Sequence, residues 1–148
     1  MCYFWAGTGE DWRPDYAQFP AADLGTKLGC WPGEKYLNLR SDKVWSIMQA
    51  RIKLASEKGC DGIDPDNMDI YANDNGFGMT QSDSINFMKK MAAEGRKYGM
   101  SIGLKNALEI LPSLQSEIQF AVNEECQAGG DCGQYSKLLS AGKPVFHI

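Results

Sequence analysis

Residues 59–67 read Gly-Cys-Asp-Gly-Ile-Asp-Pro-Asp-Asn, and this stretch decides the expected fold. It follows a helical segment that runs to Lys58, and its first glycine suits the left-handed residue just past a helix C-terminus. A short apolar run then leads into the carboxylates of Asp64 and Asp66. Such a run is typical of a parallel strand that is buried on both faces. The stretch therefore predicts a helix-to-strand unit whose strand ends in acidic side chains.

The same unit recurs along the chain. Glycines at 99 and 142 each separate a helical segment from an apolar run, and a further apolar run covers residues 120–122. The polar residues that follow these runs are Lys105 and Asn106, Asn123, Glu124 and Glu125, and His147. Strands that alternate with helices form a parallel sheet with right-handed crossovers, so we expect these polar ends to share one edge.

Helical periodicity supports this interpretation. Ser41 is placed to cap a helix with a shared stripe made of Val44, Met48, Ile52 and Ala55. Residues 80–83, Thr-Gln-Ser-Asp, resemble a capping box before an apolar stripe of Ile85, Met88 and Ala92. Pro112 breaks or begins a third helical segment within residues 107–118.

The pattern predicts an α/β fold of the (β/α)8 TIM-barrel type in a single domain, residues 1–148. The candidate strands are Cys2 to Ala6, Tyr36 to Leu39, Asp61 to Asp64, Ser101 to Leu104, Phe120 to Val122 and Val145 to His147. Because a complete barrel takes about 250 residues, we expect a partial one. Residues 7–34 are long, irregular and rich in Trp, Pro and Gly, which suits a functional loop over a site.

Charge and composition exclude several classes of function. The net charge is −4 and no block of Lys or Arg occurs, which argues against a nucleic-acid partner. No apolar run approaches the about 20 residues of a membrane helix, and the apolar residues 1–5 lack the basic region of a signal peptide. His147 is the only histidine, so a Ser-His triad or multi-histidine zinc site within the chain is excluded. Residues 7–9, Gly-Thr-Gly, lack the third glycine of a nucleotide loop, and we expect neither cofactor nor metal.

The five cysteines allow more than one interpretation. Cys126 and Cys132 lie close together in a Gly-rich segment, which is compatible with a local disulfide or with free buried thiols. Cys2 and Cys60 occur in apolar runs and are expected in the core. Cys30 is left unassigned.

Three carboxylates, Asp64, Asp66 and Asp69, lie within six residues of one another at the end of the predicted strand 61–64. Burial and mutual repulsion would raise the pKa of at least one of them, a cost that points to function. A solvated acidic turn is the alternative. A calcium loop fits poorly because Met68 occupies the fifth position and no glycine follows.

Glu124 and Glu125 end a different strand, and one carboxylate from each of two strands is what glycoside hydrolysis requires. Successive strand-end residues point in different directions, so only one of these two glutamates should face the site. Lys105 and Asn106, on the strand between, could bind sugar hydroxyls, although a purely structural ion pair is the alternative. Aromatic rings that sugars could stack on lie in or beside loops at this edge, namely Trp5, Trp12, Trp31 and Tyr71.

The sequence strongly resembles glycoside hydrolase family 114, the endo-α-1,4-polygalactosaminidases, over essentially its whole length. The segments that match are residues 2–7, 10–15, 31–34, 59–67, 76–78, 103–107, 122–124 and 142–148. The resemblance implies a secreted barrel enzyme that cleaves internal α-1,4 links in galactosamine-containing polysaccharide without a cofactor. It also implies that Cys126 and Cys132 form a disulfide.

The resemblance further implies a catalytic pair, made of Asp66 with Glu124, with Asp64 as the alternative to Asp66. The expected substrate-binding residues are Tyr3, Asp64, Asn67, Lys105 and Asn106. The chain departs from the family pattern at Trp5 and Asn38, where the family usually has Ser and Asp. The resemblance also implies that the family's first and eighth strands are missing from this chain, and we expect two exposed sheet edges as a result. The alternatives are a catalytically inactive carbohydrate-binding module and a non-functional barrel fragment, and the oligomeric state is not predicted.

Overall fold

A parallel five-stranded sheet forms the centre of the molecule in the computed structural model, which describes residues 1–148. Its strands are β1 (Cys2–Trp5), β5 (Gly62–Asp66), β6 (Ser101–Lys105), β7 (Phe120–Asn123) and β8 (Val145–His147), in the order β1-β5-β6-β7-β8. Every neighbouring pair is parallel, so all the carboxyl ends lie at one edge. The predicted α/β architecture with a parallel sheet is confirmed. The sheet does not close on itself, since β1 and β8 are its outer strands.

Five α-helices connect or flank these strands: α1 (Asp42–Glu57), α2 (Gln81–Lys97), α3 (Leu111–Leu114), α4 (Cys126–Gly129) and α5 (Ser136–Ser140). The two long helices begin where the sequence predicts. The Ser41 side chain accepts hydrogen bonds from the N–H groups of Lys43 and Val44, and Thr80 with Asp83 forms a complete capping box. No helix is long and apolar enough to cross a bilayer.

The apolar stripes of the long helices pack against the sheet. In α1 the predicted stripe of Val44, Met48, Ile52 and Ala55 is buried. In α2 the buried apolar side chains are Phe87, Met88, Met91 and Ala92, and Ile85 is half-buried. Gly59, Gly99 and Gly142 all have positive φ just after a helix, as predicted. These helix ends therefore set the start of the strands that follow them.

A second, three-stranded antiparallel sheet corrects one of the predicted strands. It consists of β2 (Thr8–Glu10), β3 (Leu24–Lys27) and β4 (Glu34–Leu37), in the order β2-β4-β3. The prediction of Tyr36 to Leu39 as a sixth parallel strand is wrong, because β1 pairs directly with β5 and leaves no place between them. The region 7–34, expected to be an irregular loop, supplies β2 and β3.

The antiparallel sheet is fixed against the carboxyl end of the parallel one by close backbone contacts. The N–H groups of Ala6 and Gly7 both donate to the Asp66 carbonyl. A Cβ on Gly7 would lie 1.9 Å from the Asn67 carbonyl oxygen, and one on Gly25 would lie 2.1 Å from that of Asn75. Only glycine allows this approach. The small sheet thus forms a wall beside the strand ends.

Two disulfides differ in how well the sequence predicts them. Cys126–Cys132 is present, as the family resemblance implies. Cys2 and Cys60, expected as core thiols, instead form a disulfide because Cys2 starts β1 and Cys60 lies just before β5, the neighbouring strand in the sheet. Cys30 is free and exposed.

Candidate active site

A cleft of about 280 Å³ lies at the carboxyl edge of the parallel sheet. It brings together all the predicted site residues except Asp64, and these are Tyr3, Asp66, Asn67, Lys105, Asn106 and Glu124. Tyr3 lies within β1, and the others lie at the ends of β5, β6 and β7 or immediately after them. The antiparallel sheet and the loop between its strands supply the opposite side, including Trp31 and Glu34.

A shared lysine joins the two carboxylates of the cleft. Lys105 Nζ lies 3.5 Å from Asp66 Oδ1 and 3.3 Å from Glu124 Oε1. The two oxygens are therefore at most about 7 Å apart, a bound that covers the separation in retaining glycosidases and the lower end of the inverting range. Lys105 is 7% exposed and its ammonium also sits 4.8 Å from the centre of the Tyr3 ring. The buried cation offsets the repulsion between the two carboxylates.

Tyr3 holds the second oxygen of Asp66. Its hydroxyl donates to Asp66 Oδ2 over 2.6 Å, across the paired strands β1 and β5. Burial, followed by the hydrogen bond and charge of Asp66, raises the pKa of Tyr3 far above its usual value. Tyr3 therefore stays protonated and remains a donor to this carboxylate.

Asn106, the residue after β6, holds Glu124 by two hydrogen bonds. Its Nδ2 donates to Glu124 Oε2, and its Oδ1 accepts from the Glu124 N–H, both over 2.9 Å. Glu125 does not line the cleft: it is exposed, and its N–H donates to the Ile148 carbonyl. As expected for successive strand-end residues, one of the two glutamates faces the site.

Asp64 lies outside the lining of the cleft, although it was predicted as a substrate ligand. It is 8% exposed, and its Oδ1 has no hydrogen-bond partner. Burial raises the pKa of Asp64 to about 6; Lys105 opposes the rise and the neighbouring carboxylates add to it. Asp64 and Asp66 are two residues apart on one strand, so they share a face, with Asp66 at the end that opens into the cleft.

A second cavity of about 330 Å³ continues the cleft on the far side of Glu124. The two share Asp69, Asn106 and Glu124 as lining residues. The second one adds the carboxylates of Glu109 and Asp131, and no Lys or Arg lines it. Together the two cavities form an acidic groove that passes Glu124 on both sides.

The whole chain, residues 1–148, matches the model of glycoside hydrolase family GH114. The chain belongs to this family. No curated protein matches the sequence. Among solved structures, the GH114 chain superimposes on Ega3 from Aspergillus fumigatus, determined in complex with galactosamine, with a TM-score of 0.97 and 51% identity. That match covers 99% of this chain and 59% of the Ega3 chain, so the sequence spans less than two thirds of its relative.

A more distant match shows the fold alone. The glycoside hydrolase domain of PelA from Pseudomonas aeruginosa superimposes with a TM-score of 0.68 at 13% identity, covering 97% of this chain and 64% of that one. The chain therefore shares the fold of that domain.

Two carboxylates of the GH114 cleft were not singled out as site residues from the sequence. Glu34 is 1% exposed and accepts from Thr8 Oγ1 over 3.2 Å, while Asn67 Nδ2 donates to the same hydroxyl over 2.8 Å. Burial is the main cause that raises the pKa of Glu34. Burial also raises the pKa of Asp69, the third carboxylate of the acidic cluster formed by Asp64, Asp66 and Asp69. The segment 31–34 was part of the family pattern, and that was the available signal for Glu34.

Of the other residues considered from the sequence, His147 and Trp12 lie outside the cleft. His147 Nδ1 lies 2.7 Å from Asn123 Oδ1 and does not line the cleft. Trp5 and Trp31 line it, and Trp12 packs edge-on against Trp5 without lining it. No three His, Cys, Asp or Glu side chains come together in a way that could hold a metal ion.

Proposed function

We propose that the protein is a glycoside hydrolase that cleaves internal α-1,4 links of galactosamine-containing polysaccharide by a two-carboxylate mechanism. The observation that carries the proposal is the Lys105 ammonium between Asp66 and Glu124, in a groove open on both sides of Glu124. The 51% identity with Ega3, whose structure holds galactosamine, supports the choice of sugar.

Glu124 is the proposed general acid and base. Its side chain is 48% exposed, and it borders both cavities, so it can reach a glycosidic oxygen that lies between the two halves of the groove. As the bond between the anomeric carbon and this oxygen breaks, the Glu124 proton passes to the oxygen.

Asp66 is the proposed nucleophile. Its carboxylate bonds to the anomeric carbon as the protonated oxygen leaves, and a water molecule that Glu124 deprotonates then displaces Asp66 and releases the sugar. Tyr3 and Lys105 both face its carboxylate, an arrangement that suits a negative charge opposite an oxocarbenium-like sugar. The bound of about 7 Å on the separation of the carboxylate oxygens favours retention over inversion, since inverting pairs are about 6.5 to 9.5 Å apart. The anomeric configuration of the first product, followed by NMR, tests this step.

The charge of the groove supports a cationic substrate. The carboxylates that line it are Glu34, Asp66, Asp69, Glu109, Glu124 and Asp131, and Lys105 is the only cation among the lining residues. Free amino groups on a galactosamine polymer carry positive charge, which this surplus of carboxylates attracts. The continuity of the two cavities suits a polymer bound across the cleavage point.

We also propose that the five parallel strands are part of a (β/α)8-type barrel, which this chain forms only in part. The open order of the sheet and the 59% coverage of Ega3 support this view. Secretion is the proposed location, since two disulfides suit an oxidising compartment.

Release of reducing ends from α-1,4-galactosamine oligomers tests the function. Glu124→Gln and Asp66→Asn should each lower the rate by about 10²- to 10⁴-fold. Glu125→Gln is the matched control, because Glu125 is adjacent but does not line the groove. If the unmodified protein and Glu124→Gln bind the oligomers alike and neither releases reducing ends, a carbohydrate-binding module is the better description.

A further inference from the structure

We propose that Asn106 is the positioning residue that holds Glu124 in the orientation required for proton transfer. The inference rests on the function proposed above and assigns Asn106 a different role from the substrate contact expected from the sequence. Both polar atoms of its carboxamide are engaged with a single residue, Glu124.

The two hydrogen bonds fix the carboxylate at both its base and its tip. The bond from the Glu124 N–H to Asn106 Oδ1 ties the backbone, and the bond from Asn106 Nδ2 to Glu124 Oε2 ties the head group. Each is 2.9 Å long. With Oε2 held, Oε1 is the oxygen turned towards Lys105. A freely rotating glutamate at an exposed strand end would have no such preferred orientation.

The backbone at Asn106 has an unusual conformation. Asn106 and Ala107 both have φ of 50°, a left-handed conformation that non-glycine residues rarely adopt. The Asn106 N–H donates to the Val122 carbonyl over 2.8 Å, which ties the turn to β7, the strand that leads to Glu124. A regular end to β6 would need no such strained pair. Strain of this kind persists where the surrounding structure determines it, and it clusters at functional sites.

The test separates positioning of the acid from a general structural effect. Glycosidic oxygens of a polymer need protonation to leave, whereas a 2,4-dinitrophenolate leaves without it. Asn106→Gly removes the carboxamide and still permits a positive φ. Its kcat/KM on α-1,4-galactosamine oligomers should fall about 10- to 100-fold, since general acid catalysis is worth about 10²- to 10⁴-fold. Its kcat/KM on 2,4-dinitrophenyl α-galactosaminide should stay within about threefold of the unmodified protein, because that reaction needs no acid.

Glu125→Gly is the matched control. Glu125 also has a positive φ, of 60°, and is the residue next to Glu124, but its side chain lies outside the groove. It should cleave both substrates at the unmodified rate. Asn106→Asp keeps the acceptor for the Glu124 N–H but loses the donor to Oε2. Like Asn106→Gly, it should lose activity on the oligomers and keep its activity on the dinitrophenyl substrate. This variant replaces Asn106→Gly if the glycine variant does not fold.

Equal losses on the two substrates, or no loss on either, overturn the positioning role. Failure of the proposed function gives a different result, since neither the unmodified protein nor Glu124→Gln would then release reducing ends from the oligomers.

Discussion

Tyr3 and Asp66 form a hydrogen bond of 2.6 Å between neighbouring parallel strands, with the phenol as donor and the carboxylate Oδ2 as acceptor. The two residues lie near the ends of β1 and β5, whose register pairs Tyr3 with Asp64 and Trp5 with Asp66. The Tyr3 side chain therefore reaches past its register partner to Asp66, which lies two residues further along β5 and opens into the cleft.

Tyr3→Phe removes this donor and keeps the ring beside Lys105. Hydrogen bonds to charged groups are worth about 1.5 to 3 kcal/mol, so kcat on galactosamine oligomers should fall roughly 10- to 100-fold with little change in KM. Tyr98→Phe, at an exposed helix end, is the control and should match the unmodified protein. An unchanged kcat in Tyr3→Phe would show that Asp66 does not depend on this bond.

Asp64→Asn tests the buried carboxyl below the cleft. Because the folded-state pKa of Asp64 is raised to about 6, the folded state binds a proton more tightly than the unfolded chain. Stability attributable to this group is therefore lost as the pH rises from about 4 to about 6. Above pH 6 the asparagine variant should be more stable than the unmodified protein by about 2 to 3 kcal/mol, and at pH 4 the difference should shrink.

Urea denaturation at pH 4 and pH 7.5 measures this difference in the free energy of unfolding. A constant gap between Asp64→Asn and the unmodified protein at both pH values would contradict a raised pKa for Asp64.

The two disulfides should differ in their contribution to stability. Cys2–Cys60 links residues 58 apart in sequence, whereas Cys126–Cys132 links residues 6 apart. By loop-closure entropy the first is worth about 4 kcal/mol and the second about 2 kcal/mol. Paired Cys→Ala variants, compared by thermal unfolding, should show the larger loss for residues 2 and 60. The reverse order would mean that the short loop stabilises folded contacts beyond its entropy.

Trp31→Ala should weaken polymer binding and leave the fold unchanged. Trp31 is 63% exposed and lines the cleft, so its indole offers a face for a sugar ring at little cost to packing. Aromatic contacts of this kind are worth about 0.5 to 1.5 kcal/mol, and KM for oligomers should rise about three- to tenfold. Trp12→Ala, with 56% exposure but outside the lining, is the control. Equal KM values for the two variants would exclude Trp31 as a sugar platform.

Local sequence patterns were sufficient to predict the parallel sheet and the two long helices. The glycines at 59, 99 and 142 and the caps at Ser41 and Thr80 act over a few residues, so their effect is visible in the sequence. The same patterns led to the Asp66 and Glu124 strand ends, because parallel topology alone brings such ends to one edge.

Contacts between distant residues accounted for what the sequence did not predict. Strand β2 contains Glu10, which is fully buried only because Arg13 and Arg51 pair with it, and the partner in α1 is 41 residues away. A charged residue in a Gly-rich segment gives no strand signal by itself. The Cys2–Cys60 disulfide and the buried Glu34 likewise depend on neighbours that only the folded chain supplies.

The contact of Gly7 with the Asn67 carbonyl has a consequence for turnover. Backbone lies against backbone there, so a side chain at position 7 would displace the start of the small antiparallel sheet from the end of β5. On the proposed function, a polysaccharide would lie between the small sheet and the strand ends, and this contact would set the distance between those two walls. The rate of successive cleavage events would then depend on how tightly the groove side chains bind the sugar units. Substitutions of these side chains would change that rate without altering the backbone.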